Sequence, residues 1–331
     1  MKNPSFSRKS LDIDCEKEID RISGVLRRVV LKDFRKRGTV VALSGGIDSS
    51  VVAALCARAL GKDRVFGLMM PERDSSEDTG ALSELIGKLL EIPFLREDIT
   101  PILEAVGCYH RRDEAVRKIV PEYGSGYACK IVLPQVAAED TYRIFSIVVQ
   151  SPGGEQVKKR LTPEAYLEIV AATNFKQRVR KMLEYYHADR LNYAVSGTPN
   201  RQEYDQGFFV KSGDGAADIK PIAHLYKTQV YRLAECLGVP AEIRSRPPTT
   251  DTYSMPQTQE EFYFAVPYDV FDLCLYGRNH GISAKEVSAV TLLTVEQVHS
   301  IYKDIENRRM TTRYLHAPPV LIDKISEVSG A

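Results

Sequence analysis

The stretch Thr39-Val40-Val41-Ala42-Leu43-Ser44-Gly45-Gly46-Ile47-Asp48-Ser49-Ser50 decides the fold class of this chain. Its first five residues are apolar or β-branched, which is typical of a short buried strand. The two glycines that follow allow a sharp turn and a close approach of the backbone to a ligand. Residues 51–60 predict a helix, rich in Ala, Leu and Val, that ends at Gly61. A helix that begins behind such a loop offers unpaired N–H groups and the positive end of its dipole, so the stretch predicts a phosphate site.

The type of phosphate loop follows from what surrounds the glycines. Walker loops need a Gly-Lys-Ser/Thr ending, and this loop has no Lys. It also lacks the Gly-x-Gly-x-x-Gly of dinucleotide folds. Ser44-Gly-Gly-Ile-Asp-Ser49 instead resembles the pyrophosphate loop of ATP pyrophosphatases, which convert ATP to AMP and pyrophosphate while they activate a substrate. The alternative is a strand-to-helix turn that contains glycine and binds no ligand.

Composition limits the class of protein. At 331 residues, a single large α/β core with attached helices is as compatible with the length as two domains. Lys+Arg number 45 and Asp+Glu 44, so no basic field suggests a nucleic-acid partner. The six cysteines include no Cys-x-x-Cys, as expected for reduced thiols in the cytoplasm. No apolar run approaches the roughly 20 residues of a membrane span, and the N-terminus is too charged for a signal peptide.

The order of predicted elements indicates the architecture. A helix over 11–37 precedes the phosphate loop, and strands over 64–70 and 92–95 flank a helix over 80–90. This β-α-β-α-β pattern predicts an α/β fold with a doubly wound parallel sheet flanked by helices. We divide the chain into an N-terminal helical segment 1–37, a nucleotide-binding domain 38–272 and a C-terminal helical tail 273–331. We expect a helical insertion at about 107–172, either a surface element with a solvated basic turn or a lid or docking element.

Several polar motifs follow in the second half of the chain. They are Asn174-Phe-Lys-Gln-Arg178, Ser196-Gly-Thr-Pro-Asn-Arg-Gln-Glu203, Gly207–Asp218, Pro221–Gln229, Arg246-Pro-Pro-Thr-Thr-Asp251 and Gln257–Glu261. Together with the phosphate loop, their order and spacing resemble NAD synthetase, over roughly 38–100 and 174–272. That family has an adenine nucleotide alpha hydrolase-like fold. It adenylates the nicotinate carboxylate of deamido-NAD with ATP and then displaces AMP with ammonia.

The resemblance implies a role for each matching residue. Asp48 and Lys227 would be catalytic. Asp48, Glu203 and Thr249 would hold Mg²⁺, a hard cation that takes oxygen ligands. ATP and pyrophosphate would be bound by Ser44, Gly45, Gly46, Asp48, Ser49, Ser50 and Thr198. Deamido-NAD would be bound by Asn174, Arg178, Asp214, Lys227 and Arg308. A homodimer is also implied, with the deamido-NAD site near the subunit interface.

Ordinary structural roles compete with several of these assignments. Asp48 could cap a helix, Glu203 could be a surface acid, and Asp214 could serve an Asx turn. Lys227 could cap a turn, and Arg308 could lie on a solvated helix end. We expect His224 to be a packing or surface histidine. Ser283-Ala-Lys-Glu286 and Thr294-Val-Glu-Gln297 predict capping boxes that open two short helices.

Features outside the motifs concern the nitrogen donor and the substrate. The chain is too short to hold a glutaminase domain as well, so we expect it to use free ammonia or ammonia from a separate glutaminase. One alternative is a paralogous ligase that converts ATP to AMP to amidate a different carboxylate. Another is a nucleotide-binding regulator without catalysis. The set of Asp48, Glu203, Asp214, Lys227 and Thr249 argues against the regulator.

Overall fold

The computed structural model describes residues 6–132, 145–247, 253–255, 257, 266–323 and 325. Its strands are β1 Thr39–Ala42, β2 Val65–Met69, β3 Phe94–Arg96, β4 Ala128–Val132, β5 Ser146–Gln150, β6 Gln156–Arg160 and β7 Ala194–Ser196. Its helices are α1 Cys15–Arg28, α2 Ile47–Leu60, α3 Glu77–Leu89, α4 Thr100–Ala105, α5 Cys108–Arg117, α6 Pro163–Leu191, α7 Arg201–Gln206, α8 Lys227–Cys236, α9 Ala241–Arg244, α10 Tyr268–Asn279, α11 Ala284–Thr291 and α12 Val295–Thr312.

A four-stranded parallel sheet in the order β3-β2-β1-β7 forms the centre of the fold. Alternate residues of β1 face opposite sides of this sheet, as the strand geometry requires. Val41 packs among side chains of α1, α2 and α8, whereas Val40 packs among side chains that include those of α6. Helices therefore cover both faces, and the predicted doubly wound parallel sheet is confirmed.

Three strand ends meet at one edge of this sheet. β1 pairs in parallel with both β2 and β7, with Val41 opposite Gly67 and Ser196. The loops that leave their carboxyl ends, 43–46, 70–76 and 197–200, therefore lie at the same edge. Ligands of open parallel sheets bind at this position, where the strand order reverses.

The insertion expected to be helical contains a second sheet, and that part of the prediction was wrong. Strands β4, β5 and β6 form an antiparallel sheet between α5 and α6. In β5, Ile147 and Val149 are buried whereas their neighbours are partly exposed, which is the period-two pattern of a half-buried strand. Each strand contains too few alternating residues for the sequence pattern to decide between a strand and a helix. The proposed limit at 172 falls inside the long helix α6, and the division into segments remains a prediction.

Left-handed residues follow the ends of two helices, and the first of these helices is shorter than predicted. The N-terminal helix ends in a π-turn over Val29–Asp33, and Arg35 then adopts a left-handed conformation with φ 54°, so the helix does not reach residue 37. Helix α6 continues to Leu191, where Asn192 ends it with φ 55°. Left-handed residues commonly end helices, and Asn accepts this conformation more readily than most side chains.

Helices α10, α11 and α12 pack into a second apolar cluster beside α8. Both predicted capping boxes are present, Ser283 with Glu286 at the start of α11 and Thr294 with Gln297 at the start of α12. Among the described residues, no helix combines the length and apolar composition needed to cross a membrane.

Candidate active site

The phosphate loop is held in a fixed conformation by its own residues. Gly45 has φ 66°, and a Cβ added there would lie 2.8 Å from the Thr79 carbonyl oxygen, so the position requires glycine. Gly46 is the N-cap of α2, and its carbonyl accepts hydrogen bonds from the hydroxyls of Ser49 (3.0 Å) and Ser50 (2.9 Å). The Ser49 hydroxyl also accepts from the Ser44 N–H at 3.3 Å. The loop is therefore preformed for an anion.

A cavity of about 410 Å³ opens beside this loop, within the size range of small-ligand sites. It brings together residues that lie far apart in the sequence and that were predicted from separate motifs. The predicted residues on its wall are Ser44, Gly46, Asp48, Ser49, Asn174, Thr198, Glu203, Asp214 and Lys227. The cavity therefore joins the phosphate loop to residues predicted to bind the second substrate.

An ion pair between Lys227 and Asp48 lies on the cavity wall. Lys227 is the first residue of α8 and is 1% exposed, and its ammonium donates to the Asp48 carboxylate. Burial disfavours the charged amine, but the carboxylates of Asp48 and Glu203 outweigh burial and raise the pKa of Lys227 above its usual value. Because its carboxylate is engaged here and Gly46 is the N-cap, Asp48 does not cap α2.

Two residues that the sequence reasoning missed hold this pair in place. Asn200 is fully buried and donates from Nδ2 to Asp48 Oδ1 at 3.1 Å. Asp272 is also fully buried and accepts from the backbone N–H groups of Lys227 (3.3 Å) and Thr228 (2.8 Å) at the start of α8. Burial raises the pKa of Asp272 to about 6, although these hydrogen bonds oppose the shift. Asn200 could have been found as a cap residue three positions before Glu203, whereas no local signal marks Asp272.

The residues present fit a magnesium ion that is completed by phosphate oxygens. Asp48 and Glu203 both line the cavity, and both carboxylates act electrostatically on the buried Lys227 ammonium. Mg²⁺ keeps several waters and needs only one or two protein carboxylates beside the phosphates of a substrate. No group of three or more potential metal ligands exists within the part of the chain that the structure describes. Thr249, the third predicted ligand, lies outside the described residues.

The cavity wall carries a second buried ion pair. Lys181 and Glu184 are buried on α6 and pair at 2.6 Å, and both line the cavity with Asp214. Burial raises the pKa of both Glu184 and Asp214. Asp214 Oδ1 also accepts from the Val210 N–H at 2.7 Å, which is the local turn role considered above. Asp214 therefore both makes the turn contact and lines the cavity.

Four predicted residues do not lie on the cavity wall. The Gly45 backbone packs against Thr79, and the Ser50 hydroxyl is turned to the carbonyl of Gly46. Arg178 is exposed and donates from Nε to the Lys211 carbonyl at 3.4 Å. Arg308 pairs with Asp304 one turn earlier on α12, at 3.1 Å. Their proposed roles remain predictions.

Histidines behave as surface or packing groups. His224 is exposed and lies 2.7 Å from both the Glu18 carboxylate and the Arg21 guanidinium, so it is a surface histidine as expected. His316 packs edge-on against the rings of Tyr204 (4.8 Å) and Phe209 (5.0 Å). Phe209 lines the cavity, so the C-terminal segment supports the wall from behind.

A buried ionic network anchors the loop after β2. The Lys176 ammonium lies 2.8 Å from the carboxylates of both Glu72 and Asp74, and Arg112 on α5 lies 2.6 Å from Asp74. Tyr109 donates its hydroxyl to Glu72 at 2.7 Å. The network thus joins the loop to the unit inserted between α4 and α6.

Known proteins are similar to this chain in sequence. A family model described as NAD synthase matches residues 18–122 and 137–314. The NH(3)-dependent NAD(+) synthetase of Mesorhizobium japonicum is 60% identical over 317 residues, which cover 96% of this chain and 99% of that protein. The Thermotoga maritima protein of the same name is 34% identical over 298 residues, 89% of this chain and 96% of the relative.

Solved structures show the same fold at lower identity. NMN synthetase from Francisella tularensis superposes with a TM-score of 0.64 at 22% identity, over 94% of this chain and 100% of that one. The NH3-dependent NAD synthetase of Campylobacter jejuni, in complex with nitrate, gives 0.61 at 22% identity and the same coverage. With a family match across most of its length and full-length relatives well above 30% identity, this chain belongs to the NAD synthase family.

Proposed function

We propose that this chain is an ammonia-dependent NAD synthetase, which amidates deamido-NAD to NAD and converts ATP to AMP and pyrophosphate. The observation that carries this proposal is the single cavity that joins the phosphate loop, the Lys227–Asp48 pair and the predicted deamido-NAD residues Asn174 and Asp214. The named relatives support the same nitrogen donor and product.

In the first step, an oxygen of the nicotinate carboxylate attacks the α-phosphorus of ATP. The bond from that phosphorus to the bridging oxygen breaks, and its electron pair leaves with pyrophosphate. The N–H groups at the start of α2 and the hydroxyl of Ser44, which lines the cavity, would bind the pyrophosphate oxygens. The Lys227 ammonium would stabilise charge that develops on the phosphates. Support comes from Asn200, which donates to Asp48, and from Asp272, which accepts from the Lys227 N–H.

Asp48 and Glu203 would hold Mg²⁺ at this place, and the role of Thr249 as a metal ligand stays a prediction of the sequence. Held by these carboxylates, the ion would supply positive charge that neutralises the phosphates. The proposed ligand set rests on the carboxylates that share the cavity wall with Lys227.

In the second step, ammonia attacks the acyl carbon of the adenylate. A carbon–nitrogen bond forms, the bond from carbon to the AMP oxygen breaks, and the nitrogen loses a proton. AMP is a good leaving group, whereas the oxide of a free carboxylate is not. In this scheme the chain takes free ammonia or ammonia from a separate glutaminase. The cytoplasmic location of the chain stays a prediction of the sequence.

A homodimer is also part of the proposal. Arg178, Met182 and Tyr186 follow one another at intervals of four on α6 and so share one face. Met182 is 55% and Tyr186 58% exposed, which leaves an apolar stripe beside Arg178. A second copy that covers this stripe would place Arg178 at the interface. Sedimentation of the wild type and of Met182→Glu checks this point, because a charge on the stripe should yield monomers.

The test of the activity is a turnover assay with Mg-ATP, deamido-NAD and an ammonium salt. We expect NAD and AMP in equal amounts, and no NAD when glutamine replaces ammonium. Formation of AMP without NAD would favour the paralogous ligase with another carboxylate. Formation of ADP would overturn the pyrophosphatase chemistry.

A further inference from the structure

Arg246 is a cation on the cavity wall whose partners are hydroxyl groups. Its Nη2 donates to Ser76 Oγ and to Thr79 Oγ1, each at 3.2 Å, and these two hydroxyls lie 2.8 Å from each other. Among residues 6–132, 145–247 and the other described positions, Arg246 forms no ion pair. Its two partners orient the guanidinium without neutralising its charge.

The lysines on the same wall are already committed to carboxylates. The pairs are Lys227 with Asp48, Lys181 with Glu184, and Lys176 with both Glu72 and Asp74. Each of these lysines is buried, and its partner carboxylates largely balance its charge. Arg246 therefore adds to the cavity, beside the Lys227 ammonium, a positive charge that no carboxylate of the described residues balances.

Arg246 is also close to the phosphate loop. Thr79, which accepts one of its hydrogen bonds, lies in the first turn of α3, and the carbonyl of Thr79 is the group against which Gly45 packs. A single residue thus contacts the guanidinium with its side chain and the phosphate loop with its backbone. Ser44 and Gly46, the neighbours of Gly45 in the chain, line the same cavity as Arg246.

We propose that Arg246 binds the pyrophosphate part of ATP and stabilises it as a leaving group, a role that rests on the function proposed above. As the bond to the α-phosphorus breaks, its electron pair moves to the β-phosphate oxygen, and negative charge grows beside the loop. The loop itself has no lysine of the Walker type. Arg246 supplies this missing cation from a neighbouring segment, and its planar group can donate two hydrogen bonds to phosphate oxygens.

The direct test is calorimetric titration of magnesium pyrophosphate into the wild type and into Arg246→Ala, Arg246→Gln and Arg246→Lys. We expect the Ala and Gln variants to lose about tenfold or more in affinity, as for a lost charge-assisted hydrogen bond. The Lys variant should be intermediate, because it keeps the charge but not the planar fork. In turnover, kcat should fall for Ala and Gln while KM for deamido-NAD stays within about twofold.

Arg244→Ala is the matched control. Arg244 belongs to the same segment but donates to the Val239 carbonyl at 3.0 Å, and it does not line the cavity. Its substitution should leave pyrophosphate affinity unchanged. A folded Arg246→Gln protein that binds pyrophosphate as the wild type does would overturn the proposal, and so would a wild type that binds no pyrophosphate at millimolar concentration.

The titration contains no carboxylate substrate, so it separates this inference from the proposed function. A wild type whose pyrophosphate binding depends on Arg246 but that makes no NAD would overturn only the assignment of deamido-NAD as the substrate. Normal NAD formation with pyrophosphate affinity that is insensitive to Arg246 would overturn only the inference about this residue.

Discussion

Lys227 and Asp48 lie 179 residues apart in the chain, yet the ammonium of one donates to the carboxylate of the other. The contact joins the first turn of α8 to the first turn of α2, directly behind the phosphate loop. A buried ion pair of this kind is weak support for stability, because both charges lose their hydration. Its position on the cavity wall points to a role in binding and chemistry.

Replacement of Asp48 by Asn should lower turnover by on the order of 10²–10³, since it removes a charge that orients Lys227 and a proposed metal ligand. The measurement is AMP formation beside equilibrium binding of ATP. The substitution leaves the buried Lys227 ammonium with Glu203 but without the Asp48 charge, so it can also lower stability. A thermal melt of each preparation checks that the variant is folded. Unchanged turnover would contradict the role given to Asp48.

Glu203→Gln separates metal binding from helix capping. Glu203 lies three residues after the N-cap Asn200 and accepts from its N–H at 3.0 Å, and Gln supports the same capping box. We therefore expect nearly unchanged stability, but a magnesium requirement shifted upward by about tenfold or more, because one anionic ligand is lost. A magnesium titration of AMP formation measures the shift. If capping is the sole role of Glu203, the two titration curves will coincide.

Asp272 should make stability depend on pH. Its pKa is raised to about 6 in the folded protein from an ordinary value of 3.8, so the unfolded chain gives up this proton first as pH rises. Stability from this group is therefore greatest below pH 4 and declines as pH rises to about 6. Two pKa units correspond to about 3 kcal/mol.

The comparison that isolates this effect uses Asp272→Ala. The advantage of the wild type in free energy of unfolding should shrink by up to about 3 kcal/mol between pH 4 and pH 7. Denaturant titrations at both pH values provide the numbers. A constant or growing advantage would contradict the raised pKa.

Lys176→Met should destabilise the fold by about 3–5 kcal/mol, because it leaves the buried carboxylates of Glu72 and Asp74 poorly compensated. The control is Lys118→Met, which also removes a lysine that pairs with carboxylates on the insertion side. The Lys118 side chain is 48% exposed, so its loss should cost about 1 kcal/mol or less. Equal losses in denaturant titrations would argue against the buried network.

His316→Ala should raise KM for deamido-NAD by about twofold to tenfold, since the ring contacts with Tyr204 and Phe209 are worth about 0.5–1.5 kcal/mol. Burial and the Lys220 ammonium lower the pKa of His316, so the ring packs as a neutral group at pH 7. Steady-state kinetics with the exposed His299→Ala as a control distinguish this contact from a general loss of histidine. An unchanged KM would contradict the idea that His316 supports the cavity wall.

Local features of this protein could be predicted because they depend on neighbouring residues. The strand, the two glycines and the helix at 39–60 define the phosphate loop by themselves, and Ser283 and Thr294 cap their helices through residues three positions away. The three-stranded sheet was missed because Ile147 and Val149 give an alternation too short to outweigh a helical interpretation. Its stability comes from packing against α5 and α6.

The sequence by itself determined the parallel α/β architecture, the phosphate loop and the residue types of the site, since backbone preferences and side-chain periodicity are local properties. Only the tertiary structure decided that Asp48 faces Lys227 and leaves the capping of α2 to Gly46, that Asp272 holds α8, and that Arg246 lies beside the loop. It also decided that Arg178 faces outward while Asn174 lines the cavity. These facts depend on which elements pack together, because the direction of a side chain and its desolvation follow from contacts between residues that are far apart in the chain.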